Sequence, residues 1–349
     1  MGGSRPGRWI LILGSLAVVG VLSWLIYLAF AESTDAIRQP MTTFVPKSDN
    51  AELVHGVYKF IFVLAGGVFV GIMAITLIFS LLYRERPGQV ARQFHGNSRL
   101  EVVWTLIPSI LVVAMAVPTF SVMSVTSKPP PDNALKVIAI GHQWWWEFQY
   151  PELGITTANE LHLPVNRPVS VILQSGDVIH SFWVPQLSGK IDNVPGHNNH
   201  LWFTPTEARP EPYLGQCAEF CGISHANMRF RVFVRTPGDF EGWAKGAAAD
   251  RTAPTADLAK AGEQQFLASG CIACHTVKGQ QGAVGKIGPD LSHFASRTTM
   301  ASGTLDRTPG NIRKWLANPP AVKPGALMPN LGLSPEALDK LVAYLDGLK

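Results

Sequence analysis

The run Cys217-Ala218-Glu219-Phe220-Cys221-Gly222-Ile223-Ser224-His225-Ala226-Asn227-Met228 gathers two thiols, an imidazole, a thioether and a carboxylate in one short stretch. Soft sulfur beside borderline nitrogen suits copper, whereas magnesium and calcium want oxygen. A single Cys followed by His and Met would read as a mononuclear blue-copper loop. The second Cys, four residues away, lets two thiolates converge on one centre, and two thiolates can bridge two metal ions. Such a centre wants a further His from upstream. His180, in the apolar strand-like run Gly176-Asp177-Val178-Ile179-His180-Ser181-Phe182-Trp183-Val184-Pro185, is a plausible source. The competing reading of paired cysteines outside the cytosol is a disulfide. With His225 and Met228 in register behind the thiols, the pattern favours metal.

The other two cysteines of the chain form Cys271-Ile272-Ala273-Cys274-His275, the covalent c-type haem pattern. Cysteines at i and i+3 share a helical face and can take both haem vinyl groups, and His at i+4 lies on that face to bind iron. A zinc or redox pair is the alternative, but no second Cys pair completes a zinc site. A distal ligand is needed as well. Met328, in Pro324-Gly325-Ala326-Leu327-Met328-Pro329-Asn330, is the choice, with Met300 as competitor in a more polar loop. His293 reads as a surface residue.

Cys-x-Glu-x-Cys-x-x-x-His-x-x-Met, preceded by a His before Ser and a Trp-Val-Pro, resembles the dinuclear CuA site of cytochrome c oxidase subunit II over residues 50–238. The resemblance implies His180, Cys217, Cys221, His225, Met228 and the backbone carbonyl of Glu219 as copper ligands. It also implies a magnesium ion at the Glu219 side chain, shared with subunit I. Trp144, the first Trp after His142-Gln143, would be the residue at which electrons arrive, and Glu101 would stand at the mouth of a proton path into subunit I. Residues 258–349 resemble a class I cytochrome c, with Gly262 and Phe266 where that family packs its first helix on its last.

These groups must be held by several elements. The chain has 349 residues, 47% of them hydrophobic and 15% charged, a balance tilted toward the membrane. Its net charge of +4, without a basic run, gives no ground for nucleic-acid binding. Residues 1–31 read as a signal peptide or an extra membrane helix. Arg5 and Arg8 precede the uncharged apolar run Trp9–Phe30, which ends in Ala29-Phe30-Ala31, a small-x-small pattern suited to signal peptidase. A cleaved signal is favoured, because subunit II relatives normally have two membrane helices. Residues 50–127 form a transmembrane hairpin with spans over about 60–82 and 102–125. Arg84, Arg86, Arg92 and Arg99 against Glu85 mark the loop between them as cytoplasmic. The chain beyond the second span is then external.

Lys128-Pro129-Pro130-Pro131 is a stiff linker. Short β-rich runs at 137–140, 169–173, 178–184, 201–203 and 230–234 come after it, making 132–238 a β-sandwich of cupredoxin type, in part by spacing and in part by resemblance. Trp144-Trp145-Trp146-Glu147-Phe148-Gln149-Tyr150 is an aromatic cluster that reads first as core and second as a docking patch. Small residues and glycines mark 239–257 as a linker. The all-α cytochrome c domain then closes the chain, with Ser334-Pro335 starting its last helix. The copper-type domain carries seven basic against ten acidic side chains over 132–240, and the haem domain ten against six over 259–349. Opposite signs on a flexible linker predict charge-steered docking that weakens with salt.

The fold class is thus multidomain: a transmembrane helical hairpin, an all-β cupredoxin-like sandwich and an all-α cytochrome c domain. The resemblance implies an electron-transfer subunit of a respiratory haem–copper oxidase, with the oxygen-reducing site in subunit I and no catalytic residue in this chain. Its cofactors would be CuA, haem c and magnesium. Its partners would be subunit I, subunit III, an upstream cytochrome c or bc-type complex, and membrane lipid. Its place would be the bacterial cytoplasmic membrane, with both redox domains on the periplasmic side. The alternative is a membrane-anchored haem c and CuA carrier serving another reductase. A quinol-oxidase subunit is disfavoured because those relatives lack the copper ligands, and an assembly factor has no use for Cys-x-x-Cys-His.

Overall fold

In the computed structural model, residues 41–349 are described apart from 84–86, 89, 91, 92 and 94, together with residues 13, 14, 16, 17, 19, 20, 23 and 24. The signal-or-span alternatives for Trp9–Phe30 fall largely outside the described residues, as do Arg84, Glu85, Arg86 and Arg92 of the basic loop.

Helix α1 (Asp49–Leu82) starts well before the apolar stretch at Phe60, because the Ser48 hydroxyl accepts from Ala51 N at 3.1 Å and caps its first turn. Helix α2 (Ser98–Thr126) is capped by Asn97, whose side chain accepts from Arg99 N and Leu100 N, and it runs through Pro108 and Pro118. Both helices are long and apolar enough to cross a membrane. None of the side chains of α2 is buried, and of α1 only Asn50 and Ala51 are. Apolar helices bare on all sides need lipid or neighbouring helices around them.

A second compact unit comprises residues 46–51 and 129–349. Its first part is a sandwich of two five-stranded sheets. One sheet runs β3 (Ile155–Ala158), β2 (Trp145–Tyr150), β1 (Leu135–His142), β5 (Val169–Ser175), β8 (Asn199–Phe203). The other runs β4 (Glu160–Pro164), β10 (Arg229–Arg235), β9 (Tyr213–Cys217), β6 (His180–Trp183), β7 (Ile191–Asn193). Alternate residues of β2 point inward, so Trp146, Phe148 and Tyr150 are fully buried, and Trp146 and Phe148 meet Phe182 and Phe230 of the facing sheet. That part of the aromatic cluster is core.

The expected linker is half helical. Helix α3 (Pro237–Ala248) is capped by the Thr236 hydroxyl accepting from Asp239 N, with Pro237 in its first turn. It buries Phe240 and stacks Trp243 on His162 with ring centroids 4.2 Å apart. Two aromatics three residues apart give this glycine-rich stretch one apolar face, which is enough to seat it on the sandwich.

The last part is helical. Helix α4 (Asp257–Ala268) crosses α7 (Pro335–Leu345), and α5 (Pro309–Ala317) and the single turn α6 (Pro319–Val322) lie between them in sequence. A side chain at Gly262 would strike the Lys340 carbonyl, which explains the small residue at that crossing. Phe266 packs on Tyr344 at 5.4 Å. Ser334 caps α7, its side chain accepting from Ala337 N, with Pro335 in the first turn. A two-stranded ribbon, β11 (Thr299–Met300) with β12 (Leu305–Asp306), completes the domain.

Candidate metal centre and haem cavity

Strand pairing assembles the sulfur site. Phe182 of β6 lies opposite Cys217 of β9, and Cys217 N donates to Met228 O at 2.9 Å, so three distant stretches converge at one end of a sheet. Between Cys217 and Met228 the loop turns back through a 3-10 turn at His225–Asn227. Cys217 Sγ is 3.8 Å from Cys221 Sγ, 3.9 Å from His180 Nδ1 and 3.2 Å from the Glu219 carbonyl. Cys221 Sγ is 3.6 Å from His225 Nδ1 and 3.8 Å from Met228 Sδ. Both thiols are free, and their sulfurs stand well beyond the ~2.05 Å of a disulfide bond. The structure therefore brings together all six expected donor atoms.

Electrostatics prepares the site. His180 is fully buried, and its Nε2 lies 2.7 Å from Asp177 Oδ1, which leaves Nδ1 facing the sulfurs. Burial opposes a charge on His180, but hydrogen bonds with Asp177 and Cys217 outweigh it and raise its pKa. The hydrogen bond with Cys221 holds the Cys217 thiol far below its ordinary range and pushes Cys221 above it.

Among the described residues, His180, Cys217 and Cys221 are the one group of three or more His, Cys, Asp or Glu with ligand atoms within 4.8 Å of one another. The Glu219 carboxylate is exposed and belongs to no such group among the described residues. Glu101 is exposed in the first turn of α2.

Cys271–Ala273 is a 3-10 turn, not part of an α-helix, yet His275 N donates to Cys271 O at 3.0 Å and keeps the expected turn spacing. Cys271, Cys274, His275, Met300 and Met328 line one largely apolar cavity of about 200 Å³. His275 Nδ1 lies 2.7 Å from Pro289 O, so the other ring nitrogen is left free. Burial lowers the His275 pKa, and the Pro289 carbonyl offsets this only in part, which favours the neutral ligand form. A side chain at Gly288 would come within 2.5 Å of the imidazole; only glycine leaves the ring this place. Trp315 Nε1 approaches Met328 Sδ at 3.2 Å and holds the thioether at the cavity. Met300 is 5% exposed and stays packed in the core. His293 is half-buried, its Nε2 3.1 Å from Ala249 O.

Trp144 lines the same cavity, is only 8% exposed and donates from Nε1 to the Cys221 carbonyl at 3.0 Å. It lies under the haem domain, not on an open docking patch. The Lys323 amine, which burial pushes down to about 7, donates to the Trp144 carbonyl.

Three family models match the chain: the transmembrane domain of cytochrome c oxidase subunit II over 40–122, its periplasmic domain over 152–234, and cytochrome c over 259–349. Over 320 residues the chain is 37% identical to cytochrome c oxidase subunit 2 of Alkalihalophilus pseudofirmus, an alignment spanning 89% of this chain and 92% of that one. The chain belongs to the cytochrome c oxidase subunit II family. The subunit 2 of Bacillus subtilis is 34% identical over 284 residues, 76% of this chain and 80% of that one. The crystal structure of the periplasmic domain of subunit II of cytochrome oxidase of Bradyrhizobium japonicum matches with 32% identity and a TM-score of 0.32, covering 34% of this chain and 95% of that one.

Membership places α1 and most of α2 in a transmembrane domain and most of the sandwich in a periplasmic one. It implies copper and haem c, and both donor sets fit. Soft sulfur and imidazole meet at the first site; a thiol pair, an oriented imidazole and a thioether border the second. Asp177, Glu160 and Lys323 escape sequence reasoning. Asp177 had a faint signal, a carboxylate three residues before His180; the other two had none.

Proposed function

We propose that this subunit II receives electrons at a covalently held haem c and delivers them through a CuA centre to haem in subunit I. There oxygen is reduced to water and protons are translocated. The haem and the copper pair would each supply one-electron carriage. Cys271 and Cys274 would anchor the haem, with His275 and Met328 on its iron. His180, Cys217, Cys221, His225, Met228 and the Glu219 carbonyl would hold the copper pair. Trp144 is the residue between the two, since it faces the haem cavity and hydrogen-bonds the Cys221 carbonyl. That dual contact is the observation that carries the reading.

Two buried sulfurs, one at the end of β9 and one in the loop after it, limit geometric change, which suits rapid electron exchange. Subunit I and subunit III would be the membrane partners, a cytochrome c or bc-type complex the donor, and the bacterial cytoplasmic membrane the location. Glu101 would serve the proton path, and an exposed Glu219 carboxylate supports magnesium only with ligands from a second chain. Metal and haem analysis of the full chain should return two coppers and one haem c. His225→Asn should abolish the near-infrared copper absorption and leave the haem spectrum. An unchanged copper spectrum would refute the assignment.

A further inference from the structure

We propose that the haem domain is locked on the sandwich by two reciprocal buried hydrogen-bonding side chains, Lys323 and Glu160, and that Lys323 is a positioning residue that fixes the Met328 loop against Trp144. The inference rests on the electron-transfer reading above and adds to it how the two centres are kept in place.

Lys323 belongs to the haem domain and is 4% exposed. Its amine donates to the Trp144 carbonyl and, at 2.9 Å, to Ser302 Oγ. The Ser302 hydroxyl donates to the same carbonyl at 2.6 Å. Glu160 belongs to the sandwich and is 2% exposed. Its carboxylate accepts from Thr298 N at 2.7 Å, Thr298 Oγ1 at 2.6 Å and Thr299 N at 3.2 Å. Each domain therefore sends one ionisable side chain into the other's backbone.

Around these contacts, Ser224 Oγ donates to Pro324 O, and Arg229 N donates to Ser302 O at 3.2 Å. Gly325, with φ of +80°, sits so close that a side chain there would strike Ile223 and reach within 2.8 Å of the Trp144 ring. The chain passes over the tryptophan with no room to spare.

Burying a polar group is costly unless its hydrogen-bond partners are met, so these contacts favour the register in which both are satisfied. Transient electron-transfer encounters have the opposite character: small, wet and charged at the rim. Polar contacts this deeply buried are also screened little by salt. Charge-steered docking on a flexible tether, expected from the opposite domain charges, is therefore replaced by a permanent seat. Transfer from haem to copper within the chain is independent of ionic strength.

The test uses the full chain carrying haem and copper. The haem is reduced in a flash by a photoexcited ruthenium complex, and the near-infrared copper band is followed at low and high salt. The native chain should show one fast phase, equal at both. Lys323→Met should lose that phase and acquire a slower, salt-sensitive one, with the haem still attached and the copper band still present. Lys323→Arg should recover the fast phase. A native rate that falls with salt, or a Lys323→Met chain as fast as the native one, would overturn the lock. Should Lys323→Met fail to take up haem, Ser302→Ala, which removes the hydroxyl shared by Lys323 and Trp144, is read in the same way. If reduced haem in the native chain never passes its electron to copper, it is the electron-transfer reading that fails.

Discussion

Asp177 touches no candidate copper position, yet it decides what His180 can do. Its carboxylate takes the far ring nitrogen at 2.7 Å and also accepts from Gln143 N and Val178 N, so the imidazole is pinned with Nδ1 toward the sulfurs. Asp177→Asn should therefore weaken copper binding by about 10–100-fold, measured by competition with a chelator. Affinity equal to the native chain's would show that His180 is oriented by packing alone. At the haem, replacing a thioether lowers the potential, so Met328→Leu should shift the midpoint downward while Met300→Leu should not. A larger shift with Met300→Leu would exchange their roles. The donor atoms themselves were legible from the sequence because the chemistry demands those residue types at fixed spacings. Asp177 showed only its place three residues before His180, and Lys323 showed nothing, since a lone Lys carries no pattern and its meaning comes from partners far along the chain.

At the scale of elements, His162 in β4 couples the sheet to pH. Its ring lies between Phe233 and Trp243, its Nδ1 accepts from Arg235 Nε at 3.1 Å, and Glu160, whose Oε1 bonds Thr298 and Thr299, leaves Oε2 3.9 Å from its Nε2. Burial first, then Arg235 and Arg297, holds its pKa well below 6.5. The folded chain keeps this ring neutral while the unfolded chain takes up a proton, so its contribution is present above 6.5 and is lost as pH falls below that value. The slope reaches about 1.4 kcal/mol per pH unit. Urea unfolding of the full chain should show this loss, and His162→Gln should flatten it; identical pH slopes would rule it out. Strands such as β1, β5 and β10 were legible through their apolar runs. Strand β4 was hidden because Glu160 and His162 are buried among its apolar residues. Helix α3 was hidden too, since glycines and alanines mask a face that rests on Phe240 and Trp243.

The whole molecule joins two bare apolar helices to a unit that carries both donor sets. Extraction in mild detergent should co-purify a large haem-bearing membrane subunit; elution of the chain alone would favour the independent carrier. The seat of the haem domain has a further consequence for how such chains diversify. Because Lys323 and Ser302 answer to the Trp144 backbone while Glu160 answers to Thr298 and Thr299, neither half is a free module. Grafting a foreign cytochrome after α3 would leave a carboxylate stranded in the sheet and a tryptophan uncovered. Chimeras should work only when both faces of the seam are exchanged together.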